Sequence, residues 1–319
     1  MKKSINPLNL ALCSLMIPAV LMGCSEGSNN TLKAEATEKK AALESVDVVL
    51  SQNTQCNKNI VIRSQELTEK QLEDACTLLI DQENRFHAMF GTRGKPVADD
   101  NNNVMRANIY NHRDDFVKYA TAHFNMPTDN GGMYLEGYPD KLDNQAEFVA
   151  YERDGKIWNL RHEFVHYLDG RFNKYGDYCN GLHDDHAGPE FCPSPNLDYP
   201  HIVWWAEGLG EYSAHENNNP KAIKLAKEKS FPLSELFNTS SNSNTGGDRV
   251  YRWGYLAVRF MMENHRNEIE SMLELTRKGD WAGYQTMIKG WGTQFDQEFF
   301  DWIDELPVAD EVAKVNTKI

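Results

Sequence analysis

The chain has 319 residues and a formal net charge of −14 at pH 7, from 47 acidic and 33 basic side chains. An acidic chain without a basic patch excludes nucleic acid as a partner and electrostatic docking on anionic lipid. The length is generous for one domain but suits a two-lobed one behind a short leader.

Met1-Lys2-Lys3 is a basic start, Leu8 to Met22 is apolar, and Gly23-Cys24-Ser25 closes the stretch with small residues. That is the layout of a secretory signal. Leu21-Met22-Gly23-Cys24 resembles a bacterial lipobox, which implies cleavage before Cys24 and a lipid on its thiol; Ser25 in place of Asp favours the outer membrane, on its periplasmic or cell-surface face. The competing reading is a plain signal peptide with a coincidental cysteine. Removing residues 1–23 takes away Lys2 and Lys3 and no acid, so the charge moves from −14 to −16. No later stretch is apolar enough to span a bilayer. Residues 25–45 are polar, rich in Ser, Asn, Lys, Glu and Ala, and read as a tether. The expected organisation is a signal at 1–23, a lipidated cysteine and tether at 24–45, and one domain at 46–319. A monomer is expected.

Cys13 leaves with the signal and Cys24 carries the lipid. Cys56, Cys76, Cys179 and Cys192 remain, an even number in an oxidising compartment. Three pairings can be drawn, of which the local one, Cys56 with Cys76 and Cys179 with Cys192, is simplest. Cys/His metal binding competes, but no CxxC spacing supports it.

Thr68-Glu69-Lys70-Gln71 has the form of a capping box and opens a helix carrying Leu72, Cys76, Leu79, Ile80 and Phe86. Val104 to Tyr110 reads as a strand, and Arg113 starts a helix that ends near Phe124. Gly131 to Glu136 is a glycine-led strand; Phe148 to Trp158, turned at Asp154-Gly155, is a hairpin. A helix from about Asn159 to Phe172 follows at once. From His201 onward the pattern is helical, at 202–216, 221–229, 250–264, 267–277 and 292–304. Strands first and helices later predict an α+β fold, a mixed-sheet lobe above a helical lobe with a cleft between.

Arg161-His162-Glu163-Phe164-Val165-His166-Tyr167 contains HExxH. On a helix His162 and His166 lie on one face, so both imidazoles reach one cation, while Glu163 reaches water beside it. This is the signature of zinc-dependent peptidases with the Glu as general base. The bland alternative is a helix whose histidines make ordinary hydrogen bonds. A second pair, Glu207 and Glu211 in Trp204-Trp205-Ala206-Glu207-Gly208-Leu209-Gly210-Glu211, weighs against it. It supplies a third zinc ligand and a carboxylate to hold a ligand histidine. The stretch between the helices contains Cys179, His183-Asp184-Asp185-His186 and Cys192; it reads as a disulfide-pinned surface loop, with a second metal site as the alternative. The Trp204-Trp205 pair reads as core ahead of substrate platform. His87, His112, His123, His201, His215 and His265 read as structural or exposed.

The block His162 to Phe172 resembles the zinc helix of the bacterial collagenases, a family of gluzincin metallopeptidases. Trp204 to Tyr212 resembles its second helix, and Tyr251-Arg252-Trp253-Gly254-Tyr255-Leu256-Ala257-Val258-Arg259-Phe260 a third block, in the Vibrio-type branch. The resemblance covers about residues 60–305 and implies a thermolysin-like two-lobed fold. It implies that His162, His166 and Glu207 bind zinc, that Glu163 is base and then acid, and that Glu211 orients a ligand histidine. It places Gly131-Gly132 on the substrate-binding edge strand and assigns oxyanion stabilisation to Tyr251, with Tyr255 as alternative. Glu136 falls where some members hold calcium. The family's large members carry a helical activator domain where this chain has about twenty polar residues and a short lead-in. The expected activity is therefore hydrolysis of gelatin, collagen fragments or other extracellular proteins, ahead of opening a triple helix. Two other readings compete: another gluzincin such as an aminopeptidase, whose dedicated amine-binding glutamate motif is not evident, and a non-catalytic peptide-binding lipoprotein.

Overall fold

The computed structural model describes residues 43–176, 202–240 and 244–307. After a short helix α1 (Val46–Val49), strands β1 (Gln52–Asn57) and β2 (Ile60–Ser64) form an antiparallel pair with an irregularity between Gln55 and Asn57. Helix α2 (Glu69–Phe90) starts at the expected capping box, with the Thr68 side chain accepting from Gln71 N–H, and stops at Gly91 in the left-handed region. A disulfide joins Cys56 to Cys76 and so pins β1 to α2. Cys24, Cys179 and Cys192 lie outside the described residues.

β2 pairs in parallel with β3 (Met105–Tyr110), and β3 in parallel with β5 (Ala146–Arg153). β4 (Gly132–Leu135) pairs antiparallel with β5 and ends the order β1-β2-β3-β5-β4. β6 (Lys156–Ile157) folds back on β5 through Asp154 and Gly155, both at positive φ, as a tight two-residue hairpin turn requires. β3 and β5 are buried on both faces because alternate residues feed two cores. Met105, Ala107, Ile109, Phe148 and Ala150 pack with α2 in the main core. Tyr110, Val149 and Tyr151 pack with Phe116 and Tyr119 of α3 (Arg113–Phe124) in a smaller one.

From Leu160 the described chain is helical: α4 (Leu160–Asn173), α5 (Val203–His215), α6 (Pro220–Ala226), α7 (Leu233–Leu236), a π-helical turn (Asp248–Trp253), α8 (Gly254–Asn264), α9 (Arg266–Thr276), α10 (Trp281–Trp291) and α11 (Asp296–Glu305). The result is a mixed α/β architecture with the sheet built first and the helices after it. The main core is continuous across both halves, running from Ile62 and Phe148 through Phe164 and Leu168 to Trp204, Trp253 and Phe299.

Several features depart from the sequence reading, the short helices α1 and α7 among them. β1 and β2 are strands the pattern did not reveal. The expected helix 250–264 is α8 preceded by a π-turn, and α10 is an additional helix capped by Asp280, whose carboxylate accepts from Gly283 N–H. Among the described residues no helix is long and apolar enough to cross a membrane.

Candidate metal centre and active site

α4 is buried almost all round because it lies between the sheet and α5. Leu160, Phe164, Val165, Leu168 and Phe172 fill the core while His162, Glu163 and His166 form its polar face. A left-handed Asn159 turns the chain out of the hairpin and into the helix. Both tryptophans of α5 are core: Trp204 Nε1 donates to the Tyr284 hydroxyl and Trp205 Nε1 to Asp169 Oδ1, each at 3.1 Å. The second bond ties α5 to α4, two residues before Glu207 and three after His166. Gly210 lets the helices meet, since a Cβ there would come within 2.8 Å of the His162 ring.

The two helices gather one nitrogen each from His162 and His166 and one carboxylate oxygen from Glu207 within 4.8 Å of one another. His162 Nε2 is 3.1 Å and His166 Nε2 3.8 Å from Glu207 Oε2. A tetrahedral zinc with bonds of about 2.0–2.1 Å needs donor separations of roughly 3.3–3.4 Å. The two separations from Glu207 bracket that value and the donor types suit zinc, so the trio can bind a metal. Behind it, Glu211 Oε1 lies 3.2 Å from His162 Nδ1, which holds the ring with Nε2 turned toward Glu207. Asn219, whose side-chain oxygen caps α6, reaches Glu211 in turn at 3.5 Å. His215 stands 3.6 Å from Glu211 on the same helix. Burial opposes the charge on Glu207, yet His166 and His162 outweigh it and hold the carboxyl down to about 2. Burial likewise opposes the charge on His162, but hydrogen bonds to Glu207 and Glu211 raise it well above the ordinary value.

Glu163 is buried beside the trio, and burial pushes its carboxyl up to about 7. Its Oε2 accepts from the Tyr134 N–H of β4 at 3.0 Å, and Asn159 Nδ2 lies 3.4 Å from Oε1. The edge strand thus touches the candidate base directly. Neither partner was visible in the sequence, since one is a backbone group and the other an ordinary polar residue four positions away. Gly131 packs beneath Trp158, whose indole a Cβ would strike, and a Cβ on Gly132 would meet the Val149 carbonyl at 2.9 Å. Close packing within the protein already requires both glycines.

Of Tyr251 and Tyr255, Tyr251 stands at the site. Its ring is 6.0 Å from that of His162 and its side chain is partly exposed. The charge on Glu207 first, then burial, pushes its phenol up, so the hydroxyl is a proton donor at neutral pH. Tyr255 is fully buried and donates instead to the Glu216 carbonyl at 2.8 Å. Glu136 is nearly buried with its carboxylate against α4 at Gly170. His183 and His186 lie outside the described residues. His87, His123 and His265 contact Thr92, Tyr110 and Glu298 respectively.

Two packed helices carry HExxH and ExxxE, with a buried carboxyl and a phenol at the same centre, the arrangement of a metallopeptidase site. The chain belongs to the M9 peptidase family, described as collagenase, whose family model matches residues 23–302. It is 42% identical over 261 residues to a microbial collagenase of Vibrio alginolyticus, covering 80% of this chain and 30% of that one. It is 39% identical over 296 residues to a microbial collagenase of Vibrio parahaemolyticus, covering 92% and 34%. Collagenase ColT of Clostridium tetani is 26% identical over 254 residues, covering 73% and 23%. The chain spans about a third of the length of the Vibrio relatives it matches.

Proposed function

We propose that the protein is a zinc-dependent endopeptidase that hydrolyses peptide bonds in gelatin, collagen fragments or other extracellular proteins, on a thermolysin-like gluzincin fold. The observation that carries this reading is the convergence of the His162, His166 and Glu207 donor atoms within 4.8 Å, beside the buried Glu163. Bound there, zinc would acidify a water molecule and polarise the scissile carbonyl. Glu163 takes the proton from the attacking water and returns it to the departing amine nitrogen. Its hydrogen bond from Tyr134 N–H fixes which oxygen remains for that work. The Tyr251 hydroxyl donates to the carbonyl oxygen as negative charge develops on it. Substrate lies extended along β4 as a further strand. Tyr134 N–H points away from β5, so by the two-residue alternation the N–H and C=O of Gly132 face the same side.

We propose three further properties. Export and a lipid anchor at Cys24 would put the enzyme on the outer membrane; incorporation of a labelled fatty acid that is lost in Cys24→Ala supports this, and no label in the parent refutes it. Calcium beside Glu136 raises the melting temperature in the parent and not in Glu136→Ala. A monomeric state is checked by light scattering.

The central test uses the full chain, with zinc content and gelatin hydrolysis measured on the same sample. One zinc per chain and gelatin cleavage, both lost in Glu207→Ala, support the proposal. A bound zinc with no cleavage of gelatin or fragments points to a peptide-binding lipoprotein, and release of single N-terminal residues points to an aminopeptidase.

A further inference from the structure

Tyr251 sits on a turn wound differently from the helices around it. Asp248–Trp253 is π-helical, and the α-helix α8 begins directly after it. Isolated π-turns are rare and concentrate at functional sites. The extra residue in such a turn swings the preceding side chains about the helix axis by one residue's arc, roughly 100°. The turn runs directly into α8, and the side chains packed around it add to what keeps Tyr251 facing His162.

Arg249 is buried within the turn. Its Nε donates to Thr239 Oγ1 at 3.2 Å, and a second guanidinium nitrogen donates to the Glu235 carbonyl. The guanidinium lies 4.7 Å from the centre of the Phe231 ring, and Trp253, at the other end of the turn, packs edge-on against that ring at 5.7 Å. The anchoring segment is itself fixed in the core through Leu233, Leu236 and Phe237. On the far side α8 is seated on α5 where Gly254 meets Gly208; a Cβ on Gly208 would approach the Gly254 carbonyl to 2.5 Å and Val258 Cγ2 to 2.7 Å. Gly208 follows Glu207 directly, so this contact references the turn to the metal-facing helix. Val250 and Trp253 point into the protein and Arg252 pairs with Asp248 at 2.7 Å, which leaves Tyr251 directed at the site.

We propose that Arg249 is the positioning residue for Tyr251, locking the π-turn so that the phenol faces the reacting carbonyl. The proposal rests on the reading of Tyr251 as the oxyanion donor. It treats Arg249 as acting on turnover without touching substrate or metal, and Thr239 as its partner.

The test is a double-mutant cycle on the zinc-loaded full chain, with kcat, KM and zinc content measured on a gelatin-derived peptide. Tyr251→Phe is expected to lower kcat by about 10²-fold. Arg249→Met should lower kcat at least about 10-fold, with KM and zinc content unchanged, and the Arg249→Met/Tyr251→Phe double variant should be no slower than Tyr251→Phe. Arg249→Lys should recover part of the loss. If Arg249→Met folds poorly, Thr239→Val, which removes one acceptor at nearly constant volume, runs through the same cycle. An Arg249→Met loss of equal factor in both backgrounds, or no loss, overturns the proposal while leaving Tyr251 in place. An unchanged kcat in Tyr251→Phe removes the reading of Tyr251 and the Arg249 proposal with it.

Discussion

In the proposed reaction Glu163 would act as base without ligating the metal, and its neighbours explain how. One oxygen is engaged by Tyr134 N–H of the edge strand, and burial keeps its proton affinity high. Glu163→Ala is expected to keep its zinc and lose activity by about 10²–10⁴-fold, measured as kcat/KM on gelatin peptides beside metal analysis. Zinc lost together with activity would mean that the residue holds the metal instead. Asp100 supplies a different test. Its side chain is buried next to Arg171, and burial outweighs that cation to raise the carboxyl to about 6 from an ordinary 3.8. A group with a raised folded-state pKa favours the fold fully at low pH and loses that contribution as pH rises through the folded value. The stability of the parent should therefore decline from about pH 4 to pH 6 through this residue. Asp100→Asn should flatten that part of the profile, as followed by thermal melts, and an unchanged slope would remove the assignment.

At the scale of elements, the disulfide and the hairpin turn were legible because each is a short-range decision. Cys56 and Cys76 are 20 residues apart, and the bond they form ties the polar edge strand β1 to α2. Constraining a loop of that size in the unfolded chain is worth about 3 kcal/mol. The Cys56→Ala/Cys76→Ala pair should lower denaturant stability by about that amount and leave kcat/KM intact; loss of turnover in the folded variant would place the disulfide in the active site. β1 was not legible because Gln52-Asn53-Thr54-Gln55 offers no apolar alternation, and its half-exposed edge position asks for none. α10 was hidden for another reason: Gly283 and Gly290 weaken its helical pattern, and packing of Tyr284, Ile288 and Trp291 into the core restores it.

Across the whole molecule, a metal held by the trio would link the two halves of the chain. His162 and His166 come from the helix that follows the sheet, and Glu207 from the helix that opens the second half. An ion bound to both stabilises only the folded arrangement, by about 4 kcal/mol at a thousandfold excess over its dissociation constant. Chelation should lower the melting temperature by roughly ten degrees, reversibly on adding zinc. An unchanged melt alongside proven zinc loss would mean that α4 and α5 are held by the core alone. The bond from Trp205 to Asp169 and the contact of Gly210 with His162 show how the core pre-sets that arrangement.

The sequence by itself determined what depends on near neighbours along the chain. The capping box at Thr68, the Asp154-Gly155 turn, the helical spacing of His162 with His166 and of Glu207 with Glu211, and the order of strands before helices are of this kind. Periodicity and turn chemistry act over a few residues, so they can be read without the fold. Only the tertiary structure decided that Tyr251 and not Tyr255 faces the centre, because a π-turn sets the rotation of that segment and its anchors lie on another element. It also decided that β4 reaches Glu163 through a backbone amide, and that β2 pairs with β3 across the intervening α2. Those contacts join residues far apart in sequence, and their geometry follows from how buried surfaces close on one another.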